Sequence, residues 1–139
     1  MLTVIPIQEK EEQARICAAC GVPFRADAFG YQALEGDALH AVAQFDIFGK
    51  NAVIYGMSQL VGAADDLEAM FILGRGVLNF LDLCAVETAT YETQTEHDEK
   101  LARICGFRKG EDGVYRITLT GLFHEPCQHG QAYPDTKQS

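Results

Sequence analysis

The period of the apolar positions changes several times along this chain. Leu2 to Ile7 is a short apolar run that predicts a strand, and Gln8 to Cys20 carries an apolar stripe at helical spacing behind a Glu-rich first turn. This helix is predicted to end at Gly21, because glycine readily takes the left-handed conformation that follows a helix. Val22 to Phe29 then predicts a loop or a short irregular helix. The apolar stripe of the predicted helix at Gln8 to Cys20 consists of Ile16, Ala19 and Cys20.

Three strand-length runs rich in Val, Ile, Tyr and Phe come next, at Tyr31 to Glu35, Ala38 to Ile47 and Ala52 to Leu60. They are separated by Glu-Gly-Asp at 35–37 and by Phe-Gly-Lys-Asn at 48–51, which are good turn sequences. The pattern predicts an antiparallel meander.

The second half of the chain alternates between the two periods. Asp65 to Cys84 predicts a long amphipathic helix, Val86 to Glu92 a strand, Glu96 to Cys105 a second helix, and Phe107 to Leu122 a hairpin. Cys105 is predicted to face inward, and the stripe of the long helix consists of Met70, Phe71, Gly74, Val77, Leu78, Leu81 and Cys84. Gly74 is interpreted as a point of close packing, whereas Gly76 lies off the stripe.

The predicted order is therefore β-α-β-β-β-α-β-α-β-β, an α+β fold with a mixed sheet of about seven strands flanked by helices. The strands at Ala52 to Leu60 and Val86 to Glu92 should be parallel neighbours, because the helix between them is long enough for a crossover. The predicted domain spans residues 1–123, and residues 124–139 are predicted to form a polar tail.

Composition and charge narrow the choice of partners. The chain has 139 residues, 47% of them hydrophobic, and its 11 basic and 20 acidic residues give a net charge of −9. An acidic surface repels nucleic acid and anionic lipid, so we expect a small cationic or amine ligand or a protein partner, and homodimerisation stays open. No apolar run approaches the roughly 20 residues of a membrane helix, and the start lacks the pattern of a signal peptide, which predicts a cytoplasmic protein.

The five cysteines are an odd number and fall mostly within apolar patterns, which favours reduced thiols. A zinc site is the alternative interpretation, because thiols and imidazoles at this spacing can close a tetrahedron. Its ligands would be Cys17, Cys20, His124 and Cys127. The first pair, however, lies at i and i+3 on a predicted helix, where small apolar side chains fill a core equally well. We therefore predict no metal.

Three stretches carry a family resemblance: GYQALEGDALHAVAQF at 30–45, NAVIYGMSQLV at 51–61 and LARICGF at 101–107. They are similar to the second and third strands, the fourth strand, and the Leu-Tyr-Glu-Lys-x-Gly-Phe segment of the GNAT superfamily of acyl-CoA N-acyltransferases. The resemblance covers nearly all of Leu2 to Leu122 in element order. As a sequence motif it is specific only at Leu101 and Gly106-Phe107.

The resemblance implies acetyl-CoA or CoA as a cofactor, held where the fourth and fifth strands separate, with its pyrophosphate on the amides that open the next helix. By position, those residues are Leu60, Gly62, Ala63 and Ala64. The chain departs from the family's Gln/Arg-x-x-Gly-x-Gly/Ala loop, since Val61 to Glu68 contains one glycine, no basic residue and three carboxylates. Asp65-x-x-Glu68 has instead the form of a capping box, and its charges would repel a phosphate.

Catalysis in the family commonly uses a carboxylate base on the fourth strand and, as the acid, the Tyr four residues before the Gly of Gly-Phe. Here that Tyr position is Ala102, and the fourth strand has no carboxylate. Tyr55, Asp46 and Glu92 are the candidate catalytic residues, and Glu35, His40 and Tyr91 are the other polar residues that could face the cleft.

Two functions therefore stay open. The first is a GNAT-like domain that has lost its acyl-CoA machinery and binds a small ligand or a protein. The second is an active N-acetyltransferase that moves an acyl group from acyl-CoA to a small or peptide amine. The acid-rich helix start and Ala102 favour the first.

Overall fold

The computed structural model describes residues 1–122, and the predicted polar tail lies outside them. The order of elements is the predicted one. The strands are β1 (Leu2–Pro6), β2 (Phe29–Glu35), β3 (Ala38–Phe48), β4 (Asn51–Gln59), β5 (Thr88–Tyr91), β6 (Arg108–Lys109) and β7 (Tyr115–Thr118), and the helices are α1 (Lys10–Ala19), α2 (Leu67–Leu83) and α3 (Glu96–Ile104).

The strands form one seven-stranded sheet in the order β1-β2-β3-β4-β5-β7-β6. Neighbouring strands are antiparallel except β4 and β5, which are parallel and are joined by α2. Both the antiparallel meander and the central parallel pair are thus confirmed, since a crossover of this length is what a parallel connection requires.

The two faces of the sheet carry separate apolar clusters. The main core lies on the side of α2 and α3 and contains Phe45, Leu78 and Leu101, while a smaller cluster under α1 contains Ile16 and Val42. Residues 42 and 45 of β3 can serve opposite faces because successive side chains of a strand alternate. The mixed sheet is therefore covered on both sides, as predicted.

Helix α3 starts and stops on local signals. Thr95 and Asp98 form a reciprocal capping box, in which the Thr95 hydroxyl accepts from the Asp98 N–H and the Asp98 carboxylate accepts from the Thr95 N–H. At the other end Gly106 has φ +107°, a conformation that favours glycine, and it turns the chain so that Phe107 packs against Tyr91 with ring centroids 5.4 Å apart. Gly106 thus ends the helix, and the packing of Phe107 places the following residues at the edge of the sheet.

Three details of the predicted apolar pattern were wrong. Phe71 is 40% exposed and Cys84 is exposed, whereas Leu73, absent from the predicted stripe, is fully buried. Helix α2 has a period of 3.6 residues, which places Leu73 on its buried face and Phe71 beside that face. Cys84 is exposed because the helix ends at Leu83, one residue earlier.

Gly76 also packs more closely than predicted. A Cβ at Gly76 would lie 2.9 Å from the Val4 Cγ1 atom, so the lack of a side chain at residue 76 allows the edge strand β1 to pack against α2. A Cβ at Gly74 would lie 2.3 Å from the Cys105 Sγ atom and 3.4 Å from the Met57 Cε atom, which confirms the close packing predicted there. Within residues 1–122, no helix has both the length and the apolar character needed to cross a bilayer.

Candidate functional site

Strands β4 and β5 separate part-way along their length. They pair only from Asn51–Ile54 to Thr88–Tyr91, and the Glu92 N–H donates the next hydrogen bond, to the Ile54 carbonyl at 2.9 Å. Strand β4 continues beyond this point, and its residues 56–59 stay paired with β3 on their other side. The separation leaves one backbone edge of β4 facing a cleft of about 350 Å³, whose far wall runs from Glu92 to Asp98.

A bulge in β4 shapes the mouth of this cleft. Gln44 of β3 pairs with Gly56, but the next residue, Phe45, pairs with Ile54, so Tyr55 is the extra residue on the bulged strand. Gly56 has φ +133°, which L-residues with a side chain rarely adopt. The bulge turns Tyr55 and Gly56 toward the cleft, where both are lining residues.

The structure brings the three candidate catalytic residues together. The Tyr55 hydroxyl donates to the Asp46 Oδ2 atom at 3.1 Å, and both Tyr55 and Glu92 line the cleft. Burial and the hydrogen bond to Asp46 raise the pKa of Tyr55, so this phenol stays protonated at neutral pH. Tyr55 therefore cannot act as a base there, and its hydroxyl is bonded to Asp46, which does not itself line the cleft.

Arg25, which is not among the residues predicted for the site, joins this group. Its guanidinium carbon lies 3.9 Å from the centroid of the Tyr55 ring, and one of its nitrogens lies 3.9 Å from the Glu92 Oε1 atom. The Arg25 side chain is thus held between an aromatic face and a carboxylate, which is the arrangement that stabilises a cation.

Two buried amides fix the loop that carries Arg25. The Gln44 carboxamide accepts from the Arg25 N–H at 3.0 Å and donates to the Pro23 carbonyl at 2.8 Å, while Gln13 of α1 donates to the Gln44 Oε1 atom at 2.9 Å. Gln13 and Gln44 are only 1% and 5% exposed. Polar residues at inward positions of a helix and a strand were the available sequence signal, since buried amides require partners.

A side chain of the protein itself caps the N-terminus of α2. The Asp66 Oδ1 atom accepts from the Ala69 N–H at 3.0 Å, so Asp66 is the N-cap. The predicted capping box of Asp65 and Glu68 is wrong by one residue. The cap is Asp66 because the Gln59 carboxamide binds both sides of the turn, accepting from the Asp66 N–H at 2.9 Å and donating to the Ala64 carbonyl at 2.7 Å.

The residues proposed for the cofactor lie in this same turn. The Leu60 N–H donates to the His40 carbonyl at 2.9 Å, and the Ala63 N–H donates to the Leu60 carbonyl at 3.1 Å. Gly62, with φ +88°, and Ala64 complete the turn. Two of the four candidate amides are therefore bonded within the protein.

Charge at the α2 start is uniformly acidic apart from one histidine. Asp65 and Glu68 are exposed beside Asp66, and the His40 Nε2 atom lies 3.2 Å from the Asp66 Oδ2 atom. Since no Lys or Arg lies between residues 60 and 70, a phosphate at this helix start would meet carboxylates rather than a basic side chain.

Alanine substitutions at Asp66 and Asp65 should show which of the two residues caps α2. We expect Asp66→Ala to lower the free energy of unfolding by about 1 kcal/mol, because an N-cap hydrogen bond is lost. The exposed neighbour Asp65 offers a matched control, and Asp65→Ala should change stability by less than about 0.5 kcal/mol. Urea titration of both variants measures the difference, and equal midpoints would contradict the assignment of the cap to Asp66.

The chain resembles known proteins in its fold rather than in its sequence. No model of a protein family matches the sequence, and no curated protein matches it. Solved structures do match: the ribosomal-protein-S18-alanine N-acetyltransferase from Escherichia coli superposes with a TM-score of 0.67 at 12% identity, over 98% of this chain and 99% of that one. A protein from Desulfovibrio desulfuricans assigned to the GNAT family gives 0.66 at 13% identity, over 86% and 99%.

A third structure, a Bacillus subtilis acetyltransferase in complex with CoA, gives a TM-score of 0.62 at 15% identity over 85% of this chain and 97% of that one. The chain has the GNAT fold. Identities this low show the fold and not the chemistry, so the site has to be judged on its own residues.

The GNAT fold makes the position of Ala102 informative. Ala102 is fully buried on α3, and the nearest tyrosine in sequence, Tyr91, is 2% exposed. Burial raises the pKa of Tyr91, so this buried phenol stays protonated at neutral pH. Tyr115 lies on the other side of α3, where its hydroxyl donates to Glu99 and accepts from Arg103. None of these tyrosines lines the cleft.

The remaining candidates lie outside the cleft lining. Glu35 binds the N-terminal amine at 2.8 Å. Cys17, on the buried face of α1, and Cys20, its C-cap, are both buried, and burial raises the pKa of both thiols, that of Cys20 to about 11. Such thiols stay protonated at neutral pH, as expected of small side chains that fill a core. His124 and Cys127, the other half of the alternative zinc site, lie outside the described residues, and residues 1–122 contain no metal-binding cluster of their own.

Proposed function

We propose that this GNAT-fold chain is a binding protein, in which the cleft beside β4 takes a small cationic amine and the α2 start no longer holds an acyl-CoA pyrophosphate. The observation that carries the proposal is the self-capped helix: Asp66 and Gln59 take up N–H groups at the start of α2, among acidic neighbours. A phosphate would have to displace Asp66 and then remain beside Asp65 and Glu68.

The charge of the cleft supports a cationic ligand. Glu92 and Asp98 line it and Asp46 lies behind Tyr55, whereas Arg25 is the single basic residue among the described lining residues. Carboxylates beside an aromatic ring attract ammonium and guanidinium groups and repel anions. A Lys or Arg side chain of a protein partner would be attracted to the cleft for the same reason.

Calorimetry with simple probes tests this proposal. We expect butylammonium to bind the full chain at low salt and butyrate not to bind. Glu92→Gln should weaken butylammonium binding several-fold, whereas Glu87→Gln, which removes a carboxylate paired with Lys50 instead, should leave it unchanged. Absence of any butylammonium binding, or equal effects of the two substitutions, would contradict the proposal.

Acyl transfer is the second candidate function, and the separation of β4 from β5 favours it. Structures of this fold with acetyl-CoA or CoA bound include the Bacillus subtilis enzyme and an aminoglycoside acetyltransferase. Incubation of the chain with acetyl-CoA and butylammonium, followed by a thiol assay, separates the two functions. The binding function predicts no thiol release above the uncatalysed rate. Sustained release that requires butylammonium would establish acyl transfer to the amine, because hydrolysis of the thioester releases the thiol without it.

A further inference from the structure

The Arg25 side chain occupies the acidic cleft from within the protein. Its guanidinium stacks 3.9 Å from the Tyr55 ring centroid and lies 3.9 Å from the Glu92 carboxylate. The Arg25 backbone is fixed, because its N–H donates to Gln44 and its carbonyl accepts from the Ala28 N–H at 3.1 Å. Only the side chain is therefore free to leave.

The two partners of this guanidinium match its chemistry. A guanidinium is planar, so it can lie flat on an aromatic face while its N–H groups point sideways to a carboxylate. The orientation of the Tyr55 ring is also fixed, since its hydroxyl donates a hydrogen bond to Asp46. A ring with a fixed orientation and a carboxylate at its edge would accept a second guanidinium in the same way.

We propose that Tyr55 and Glu92 form a binding site for a small guanidinium compound, and that the Arg25 side chain is the built-in competitor for this site. The inference rests on the proposed function, because it requires a cleft that binds cations. It adds the class of cation and the residue that controls access.

Displacement of Arg25 costs little. The side chains of Arg25 and Glu92 are 47% and 48% exposed, and ion pairs at such exposure contribute little net free energy. Leaving the site requires only a change of rotamer in a long side chain. A ligand then binds with an apparent dissociation constant equal to the intrinsic one divided by the fraction of molecules in which Arg25 has left.

Titration of ethylguanidinium into the full chain by calorimetry tests the competition. If Arg25 occupies the site in about nine molecules of ten, Arg25→Ala should bind ethylguanidinium about tenfold more tightly than the natural chain. Arg15→Ala is the matched control, because Arg15 lies on α1 beside Glu12 and its loss changes the net charge equally. This control should bind like the natural chain. Adding Glu92→Gln to Arg25→Ala should reverse the gain.

Three results would overturn the inference. Equal affinity of the natural chain and Arg25→Ala would show that Arg25 does not compete, and an equal gain in Arg15→Ala would show a general charge effect. Butylammonium binding to Arg25→Ala as tightly as ethylguanidinium would show that the site does not select guanidinium. Each can occur while butylammonium still binds the natural chain, so the proposed function would survive. Should Arg25→Ala lower the melting temperature, Arg25→Gln keeps two of the three methylenes without the charge and carries the same expectation.

Discussion

Gly74→Leu is expected to lower the free energy of unfolding by about 3 kcal/mol, toward the upper end of the usual cost of overpacking. The reason is the contact between α2, β4 and the end of α3: a first side-chain carbon at residue 74 would already lie 2.3 Å from the Cys105 Sγ atom. Cys105 is 1% exposed, so its side chain has little room to move. The gain in helix propensity on replacing glycine, up to about 1 kcal/mol, offsets only part of this cost.

Gly76→Leu is the matched control and should cost clearly less, about 1 kcal/mol. It meets Val4, a partly buried residue of the edge strand β1, which can shift more easily than the core. Urea denaturation of the two variants compares them. Equal midpoints would contradict the packing role of Gly74.

A double-mutant cycle can identify Cys105 as the opposing group. Gly74→Ala alone creates the contact with the Cys105 Sγ atom, whereas Gly74→Ala with Cys105→Ala leaves the two Cβ atoms an ordinary 3.5 Å apart. The double variant should therefore be more stable than the sum of the single effects predicts, with a coupling energy of about 1 kcal/mol. Additive effects would mean that the strain lies elsewhere.

The second large effect is expected in CoA binding when the α2 start is made receptive. Asp66→Gly with Glu68→Arg removes the cap carboxylate, frees the Ala69 N–H and makes the local charge three units more positive. At low salt, where surface charges are least screened, we expect the affinity for CoA to rise about tenfold or more. The cost in stability should be below about 1 kcal/mol, since glycine is a tolerable N-cap.

Glu11→Arg, in the first turn of α1, is the control for a general electrostatic effect. It makes a similar change at another helix start and should leave CoA affinity nearly unaltered. A comparable gain in this control would show that overall charge, and not the freed amides of α2, limits binding.

The order of elements could be predicted because it depends on local patterns. Turn sequences at 35–37 and 48–51 separate runs of alternating apolar residues, and the segment from Asp65 to Cys84 is long enough for the crossover that a parallel pair needs. The end of α3 could likewise be predicted from two adjacent residues, Gly106 and Phe107, because Gly106 takes the positive φ that ends the helix. The fold follows from such signals with few errors.

The site was harder to predict because its contacts join distant parts of the chain. The shift of the N-cap from Asp65 to Asp66 depends on the Gln59 carboxamide, and the position of Arg25 depends on Gln44, 19 residues away. Neither contact has a periodic signature. The polar residues at inward positions, Gln13 and Gln44, were the visible sign that buried amides needed partners there.

Titration of CoA into the natural chain by calorimetry at low salt tests the central claim most directly. A self-capped, acidic α2 start predicts no measurable heat of binding at micromolar concentrations, and no rise in melting temperature when CoA is added. Micromolar binding that persists as salt is raised would mean that the turn at residues 60–66 holds phosphate despite its carboxylates, and would contradict the account.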